Sequence, residues 1–161
     1  MLNTERCMLI PLSIEDYADI KQLYENEHVR EYLGGPVDEV GYGKRFNEMI
    51  HSQNVALHWT IRLRETEAFI GLVFLDTYHD ERDIEIGYQF LPDYWGKGYA
   101  TEVITHILKF GIETLGYSTI VAETQSQNKA SCHVLQKAGM QFEEELERFG
   151  HKQSKFRLIN S

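Results

Sequence analysis

From residue 57 the apolar positions alternate: Leu57, Trp59, Ile61 and Leu63 against His58, Thr60, Arg62 and Arg64, the pattern of a half-buried strand. A polar turn at Glu65-Thr66-Glu67 leads into AFIGLVFLDT, apolar on both faces and so expected in the middle of a sheet. After the turn HDERD, the segment IEIGYQFL sets Ile84, Ile86, Tyr88 and Phe90 on one face and Glu85, Gly87, Gln89 and Leu91 on the other. Upstream, residues 6–11 predict a short strand. Ser13 predicts the cap of a helix from Ile14, with Ile14, Tyr17, Ala18, Leu23 and Tyr24 as its apolar side and Gly34-Gly35-Pro36 as its stop. A second helix is predicted from Asp38 to about Ser52, carrying Tyr42, Phe46, Met49 and Ile50. Downstream, Ala100, Val103, Ile104, Ile107, Leu108, Gly111 and Leu115 make one helical stripe ended by Gly116. STIVAET then reads as a strand, NKASCHVLQKA as a helix stopped by Gly139, and MQFEEELERFG with KQSKFRLIN as a closing strand pair around Gly150-His151. The predicted order is β-α-α-β-β-β-α-β-α-β-β: one α/β domain over residues 1–161, with four helices and a mixed sheet of about seven strands.

The totals narrow the partners. The 161 residues suit a single core, and 42% hydrophobic with 25% charged residues is an ordinary globular balance. Sixteen basic against 25 acidic side chains give a charge of −9 with no basic stripe, which argues against nucleic acid and favours cationic partners such as amines. No apolar run is long enough to span a bilayer, and MLNTERCMLIPL lacks the pattern of a signal peptide, so no membrane and a cytoplasmic location are expected. Cys7 and Cys132 have no metal-ligand spacing and neither do the seven histidines, so no metal is expected.

The chemistry gathers around PDYWGKGYATEVITHILKFG, residues 92–111, where two glycines, a lysine and a small residue lie between a strand and a helix. Unpaired peptide N–H groups and the positive end of a helix dipole favour an anion there, and side chains larger than Gly or Ala would block its approach. A glycine-rich turn with a helix cap and no ligand has the same composition. The P-loop pattern fails, because no Gly-Lys-Ser/Thr occurs. The dinucleotide fingerprint comes closer: Gly96-Lys97-Gly98 opens a helix and Glu123 ends the next strand, but Thr101 stands where its third glycine would be.

Trp95-Gly96-Lys97-Gly98-Tyr99-Ala100 resembles the [QR]-x-x-G-x-[GA] motif of the GNAT acetyltransferases, with Trp in the first position. YWGKGYATE preceded by IEIGYQFLP, together with NKASCHVLQKAGM and the element order, is similar to the RimJ/RimL branch, the ribosomal-protein N-terminal acetyltransferases. The resemblance covers nearly the whole chain. It implies a GNAT-like fold and an acetyl-CoA cosubstrate. It also implies direct transfer of the acetyl group to a primary amine, a protein N-terminus or a small molecule. It places the pyrophosphate at Trp95, Gly96, Lys97, Gly98, Tyr99, Ala100 and Thr101, and the pantetheine along Phe90 and Leu91. The strand STIVAET becomes the splayed neighbour of the strand before the loop. Asn128 reaches the coenzyme, or is simply the cap of its helix; Lys97 touches a phosphate, or is a solvated lysine.

Acetyl transfer needs a neutral amine. A lysine-type amine is neutral in roughly one molecule in 2,500 at pH 7 and an α-amine in about one in seven, so an α-amine needs only a weak base. The resemblance points to Glu85 as that base, its carboxyl raised by burial, with a purely structural glutamate as the alternative. The tyrosine acid of many such enzymes falls at Leu135 and is missing. Ser131, one turn from Asn128, is implied as the proton source for the thiolate or as a partner of the pantetheine. Backbone N–H groups around Leu91 are the expected oxyanion donors. Two other functions stay open at this stage, a non-catalytic coenzyme A-binding module and a dinucleotide-dependent oxidoreductase, and the sequence leaves room for a homodimer.

Overall fold

Eight strands form one mixed sheet in the order β1-β2-β3-β4-β5-β6-β8-β7, accompanied by four α-helices. The computed structural model describes residues 1–53 and 55–159. In chain order the elements are β1 Leu2–Asn3, β2 Cys7–Pro11, α1 Tyr17–Tyr24, α2 Glu39–His51, β3 Leu57–Leu63, β4 Phe69–Thr77 and β5 Ile84–Phe90. There follow α3 Tyr99–Glu113, β6 Thr119–Gln125, α4 Lys129–Lys137, β7 Gln141–Arg148 and β8 His151–Ile159. The α/β reading and the four helices hold, and the sheet gains one strand: Leu2–Asn3 pairs antiparallel with Met8 and Leu9. A two-residue strand has too little periodicity to be seen in a sequence.

Two compact units are distinguished, residues 1–75 with 88–99 and residues 76–87 with those from 100 on. In the first, β2, β3 and β4 form antiparallel ladders, and Ile20, Leu23, Tyr42, Phe46 and Leu72 anchor the core cluster. A close approach sits at Gly71 of β4. A Cβ there would stand 2.4 Å from the carbonyl oxygen of Gln89, so only glycine fits.

The first helix departs from expectation. A 3₁₀ turn occupies Ile14–Asp16, and α1 stops at Tyr24 rather than running to Gly34. The Asn26 side-chain oxygen accepts from the N–H groups of His28 and Val29 at 2.9 and 3.0 Å, an Asx turn that competes with the helix for those donors. The buried side is rotated too. Ile14 is 75% exposed, whereas Asp16 is buried, because its carboxylate accepts from the Ser13 N–H at 2.8 Å and pairs with Arg62 at 3.7 Å. The second helix follows its prediction, with Asp38 as cap accepting from Gly41 N–H at 2.7 Å.

In the second unit, α3 buries Val103, Ile104, Ile107 and Leu108, the predicted stripe. β6 pairs antiparallel with β8 along its whole length, from Thr119↔Ile159 to Gln125↔Gln153. β7 pairs with β8 through a tight turn at Phe149-Gly150, where both residues have positive φ, 55° and 76°, as a two-residue hairpin loop requires. β5 and β6 are parallel, in register at Ile84↔Ile120 and Glu85↔Val121. Among the described residues no helix is long and apolar enough to cross a membrane, and no group of three or more His, Cys, Asp or Glu could hold a metal ion.

Candidate active site

The strand β5 ends where Pro92 starts a 3₁₀ turn, Pro92–Tyr94, and the chain then turns through Trp95-Gly96-Lys97-Gly98 into α3. Gly96 has φ +71° and Gly98 φ +85°, the left-handed region in which other residues are strained. A Cβ on Gly96 would meet nothing within 4 Å. The N–H groups of Gly96, Lys97 and Gly98 make no hydrogen bond to another described residue. Tyr99, Ala100 and Thr101 follow as the first residues of α3, whose opening N–H groups have no partner within the helix. The result is an exposed run of backbone donors at the positive end of a fifteen-residue helix.

Other sequence-predicted residues in this unit are already engaged. The Trp95 N–H donates to the Pro92 carbonyl at 3.1 Å, and the indole N–H donates to the Phe90 carbonyl at 2.8 Å. Trp95 therefore braces the turn and contributes no free backbone donor. The Leu91 N–H, expected as an oxyanion donor, instead bonds Ile70 O at 2.9 Å, and the Leu91 carbonyl accepts from Tyr94 N at 3.0 Å. The Leu91 N–H is thus taken by β4, while its carbonyl, bonded once by the 3₁₀ turn, keeps a second lone pair. The Lys97 ammonium folds back onto the Asp93 carbonyl at 2.9 Å, over the Tyr94 ring.

Arg6 joins the turn from outside any motif. Its guanidinium donates to the Lys97 carbonyl at 3.0 Å and lies 4.2 Å from the centre of the Tyr99 ring. A Cβ on Gly98 would approach Arg6 Nη2 to 3.3 Å. An arginine at the foot of β2 thus holds the turn 91 residues away, a pairing that no local pattern announces.

In the second unit Glu85 is half-buried, at the last position of β5 in register with β6. Among the described residues its carboxyl has no hydrogen-bond or ion-pair partner. Burial, reinforced by the Glu123 carboxylate and opposed by Arg148, pushes it up to about 7 from 4.5. Glu123, two residues beyond Val121 on β6, is the hub of a network the sequence did not reveal. Its side chain is 5% exposed, accepts from Tyr78 Oη at 2.6 Å, and meets Arg148 Nε at 2.9 Å and His79 Nε2 at 3.5 Å. Tyr78 itself is buried, and its phenol is held well above its ordinary value by burial and by this bond. Acid and tyrosine here are 45 residues apart, so spacing could not pair them.

Asn128 caps α4, its side-chain oxygen accepting from Ser131 N–H at 3.2 Å, and Ser131 is half-buried one turn along. Leu135, where the tyrosine acid of many GNAT enzymes would stand, is a fully buried core residue.

The comparisons bear on this geometry. The family model described as an acetyltransferase (GNAT) domain matches residues 6–141. The uncharacterised N-acetyltransferase YoaA of Bacillus subtilis is 29% identical over 148 residues, covering 89% of this chain and 84% of that protein. A GNAT-family acetyltransferase structure from Bacillus anthracis superposes with a TM-score of 0.86 at 22% identity, covering 98% of this chain and 97% of the other. Spermidine N-acetyltransferase from Vibrio cholerae, solved with CoA and spermine, gives a TM-score of 0.82 at 22% identity and 95% coverage of both chains. The ribosomal-protein-S5-alanine acetyltransferase of Vibrio fischeri gives 0.81 at 18% identity, covering 99% and 96%. At these identities the structural likenesses speak for the fold, while the family match spans most of the sequence and sets aside the dinucleotide-dependent oxidoreductase. The chain is an N-acetyltransferase and belongs to the GNAT family.

Proposed function

We propose that this protein acts as one acetyltransferase domain in the cytoplasm and transfers the acetyl group of acetyl-CoA directly to a primary amine. The observation that carries the reading is the turn at Gly96-Lys97-Gly98: two left-handed glycines, three N–H groups without a partner among the described residues, and a helix start beyond. A pyrophosphate fits such a donor run, and the open space at Gly96 leaves room for it. Gly96, Lys97, Gly98, Tyr99, Ala100 and Thr101 are the proposed diphosphate contacts. Phe90, Leu91 and Trp95 support the turn, and Asn128 and Ser131 are proposed to contact the coenzyme from α4.

In the proposed reaction Glu85 accepts the proton of the ammonium and passes it to solvent, the neutral amine nitrogen attacks the acetyl carbonyl carbon, and the C–S bond breaks as the amide forms. The departing thiolate takes a proton from the Ser131 hydroxyl, and the second proton shed by the nitrogen restores that hydroxyl. A carboxyl near 7 is half ionised at neutral pH, the condition for accepting and releasing a proton in each turnover. An α-amine asks less of such a base than a lysine-type amine does, which favours a protein N-terminus, as in the RimJ/RimL branch. A small polyamine is the second acceptor class, supported by the charge of −9 and by the fold shared with a spermidine N-acetyltransferase.

The test is calorimetric titration with acetyl-CoA, followed by a mass-spectrometric screen of N-terminal peptides and polyamines. Saturable binding and acetylation of either class support the reading. A protein that fails to bind acetyl-CoA, or binds it equally well as Gly98→Val, overturns it.

A further inference from the structure

Glu123 is a carboxylate on which three side chains of its unit converge. Tyr78 Oη at 2.6 Å, Arg148 Nε at 2.9 Å and His79 Nε2 at 3.5 Å converge on it. Across the sheet its register partner on β8 is Lys155, whose ammonium lies over the Tyr78 ring at 4.8 Å and pairs with Glu143 at 3.3 Å. These contacts fix the side chain in place.

Its position relative to Glu85 is set by β-sheet geometry. Glu85 is in register with Val121, and Glu123 lies two residues further along β6, where side chains return to the same face. Glu123 thus lies just past the last paired position of the two strands, near enough for its charge to act on Glu85. Glu85, by contrast, has no bonding partner for its carboxyl among the described residues.

We propose that Glu123, held on the neighbouring strand by Tyr78, His79 and Arg148 two residues beyond the register partner of Glu85, is the positioning residue of the Glu85 base. The groups facing Glu85 are Asp76 from the end of β4, Tyr78 from the turn after it, Glu123 from β6 and Arg148 from β7. Asp76 and Glu123 act in one direction and Arg148 in the other. Tyr78 holds the Glu123 carboxylate in place by its hydrogen bond, while Arg148 lies in ion-pair contact with it, its Nε making no hydrogen bond. The arrangement sets two carboxyl groups in one site, one of them tied down by its neighbours and the other without a partner among the described residues.

The inference rests on the proposed role of Glu85, and its test is arranged so that the two fail separately. Glutamate side chains labelled with carbon-13 at the carboxyl are followed by NMR across pH in the coenzyme-free protein. The Glu85 signal is the one that disappears in Glu85→Gln. It is expected to titrate near neutral pH in the native protein. In Glu123→Gln the midpoint moves down by about one pH unit, and in Arg148→Gln it moves up. Tyr78→Phe, which keeps the ring, gives a smaller movement. Opposite movements in the two charge variants support the proposal. An unmoved midpoint in Glu123→Gln, or movement in the same direction in both, overturns it. A purely structural role lowers the melting temperature of the variants but leaves the midpoint in place. Should Glu123→Gln fold poorly, Glu123→Met is read in its place: a lowered Glu85 midpoint supports the proposal and an unmoved one overturns it. Should the midpoints move as stated while Glu85→Gln turns over acetyl-CoA at the native rate, the electrostatic pairing stands and the assignment of Glu85 as base falls.

Discussion

Arg6 and Lys97 meet across the first unit, with the guanidinium donating to the Lys97 carbonyl at 3.0 Å while stacking on Tyr99 at 4.2 Å from its ring centre. A carbonyl held on one side of a peptide turns the following N–H, that of Gly98, to the other. Arginine suits this work because its planar fork can donate and stack together, which a lysine cannot. Arg6→Ala is therefore expected to weaken acetyl-CoA binding about five- to tenfold, the worth of roughly one hydrogen bond. Acetyl-pantetheine, which lacks the diphosphate, should bind the variant and the native protein alike. Titration calorimetry with both ligands decides; an equal loss for both would place Arg6 outside the diphosphate site.

The two glycines of the turn make separable demands. At Gly96 only the backbone objects to a side chain, since the space around it is open. Gly96→Ala should cost about 1–2 kcal/mol of stability from the left-handed φ alone. At Gly98 a side chain is both strained and pressed against Arg6 Nη2 at 3.3 Å. Gly98→Val should then displace the arginine and abolish the rise in melting temperature that acetyl-CoA gives the native protein. Differential scanning fluorimetry with and without the coenzyme reads both effects.

These contrasts show how much of the molecule its sequence displays. The strand and helix stripes from residue 57 onward are written in local periodicity, and the turn is marked by its two glycines, which a left-handed conformation favours. Glu85 was marked by the family resemblance, since its strand also carries the polar Gln89. The helix at Ile14 was misjudged because the side-chain oxygen of Asn26 captures two backbone donors, and a hydrophobic pattern does not register that competition. Arg6, Tyr78 and Arg148 escaped notice for a different reason, and Glu123 stood out only as the acidic end of a strand in a fingerprint that does not apply. Each is ordinary in its own segment and acquires meaning only through a partner brought to it by the tertiary structure. The availability of Leu91 was also illegible, because which N–H a strand end keeps depends on its neighbour.

Asn128 combines two roles that conservative replacement can separate. Its side-chain oxygen caps α4 by accepting from Ser131 N–H at 3.2 Å. Asn128→Ala should lose about 1 kcal/mol of stability along with any coenzyme contact. Asn128→Ser keeps a competent cap but removes the amide. A variant with native melting temperature and several-fold weaker acetyl-CoA binding would assign the amide to the coenzyme. Native binding in Asn128→Ser would leave Asn128 as a cap alone.

The raised proton affinity of Glu85 has a consequence for stability that needs no substrate to measure. In the unfolded chain this carboxyl titrates near 4.5, and in the folded protein near 7. Between those values the folded state binds the proton more tightly, so unfolding releases protons and stability falls as pH rises. The group's favourable term is complete below pH 4.5 and gone above 7, where the ionised carboxylate is held in a site that disfavours it. The span of the shift corresponds to about 3 kcal/mol. A glutamine at this position has no such dependence. Glu85→Gln should consequently gain stability relative to the native protein as the pH is raised from 5 to 8, by several degrees in melting temperature, because every other titrating group is common to both and cancels. A difference between the two proteins that stayed constant across that range would mean that Glu85 titrates like an exposed carboxylate, and it would remove the group from consideration as a base poised for neutral pH.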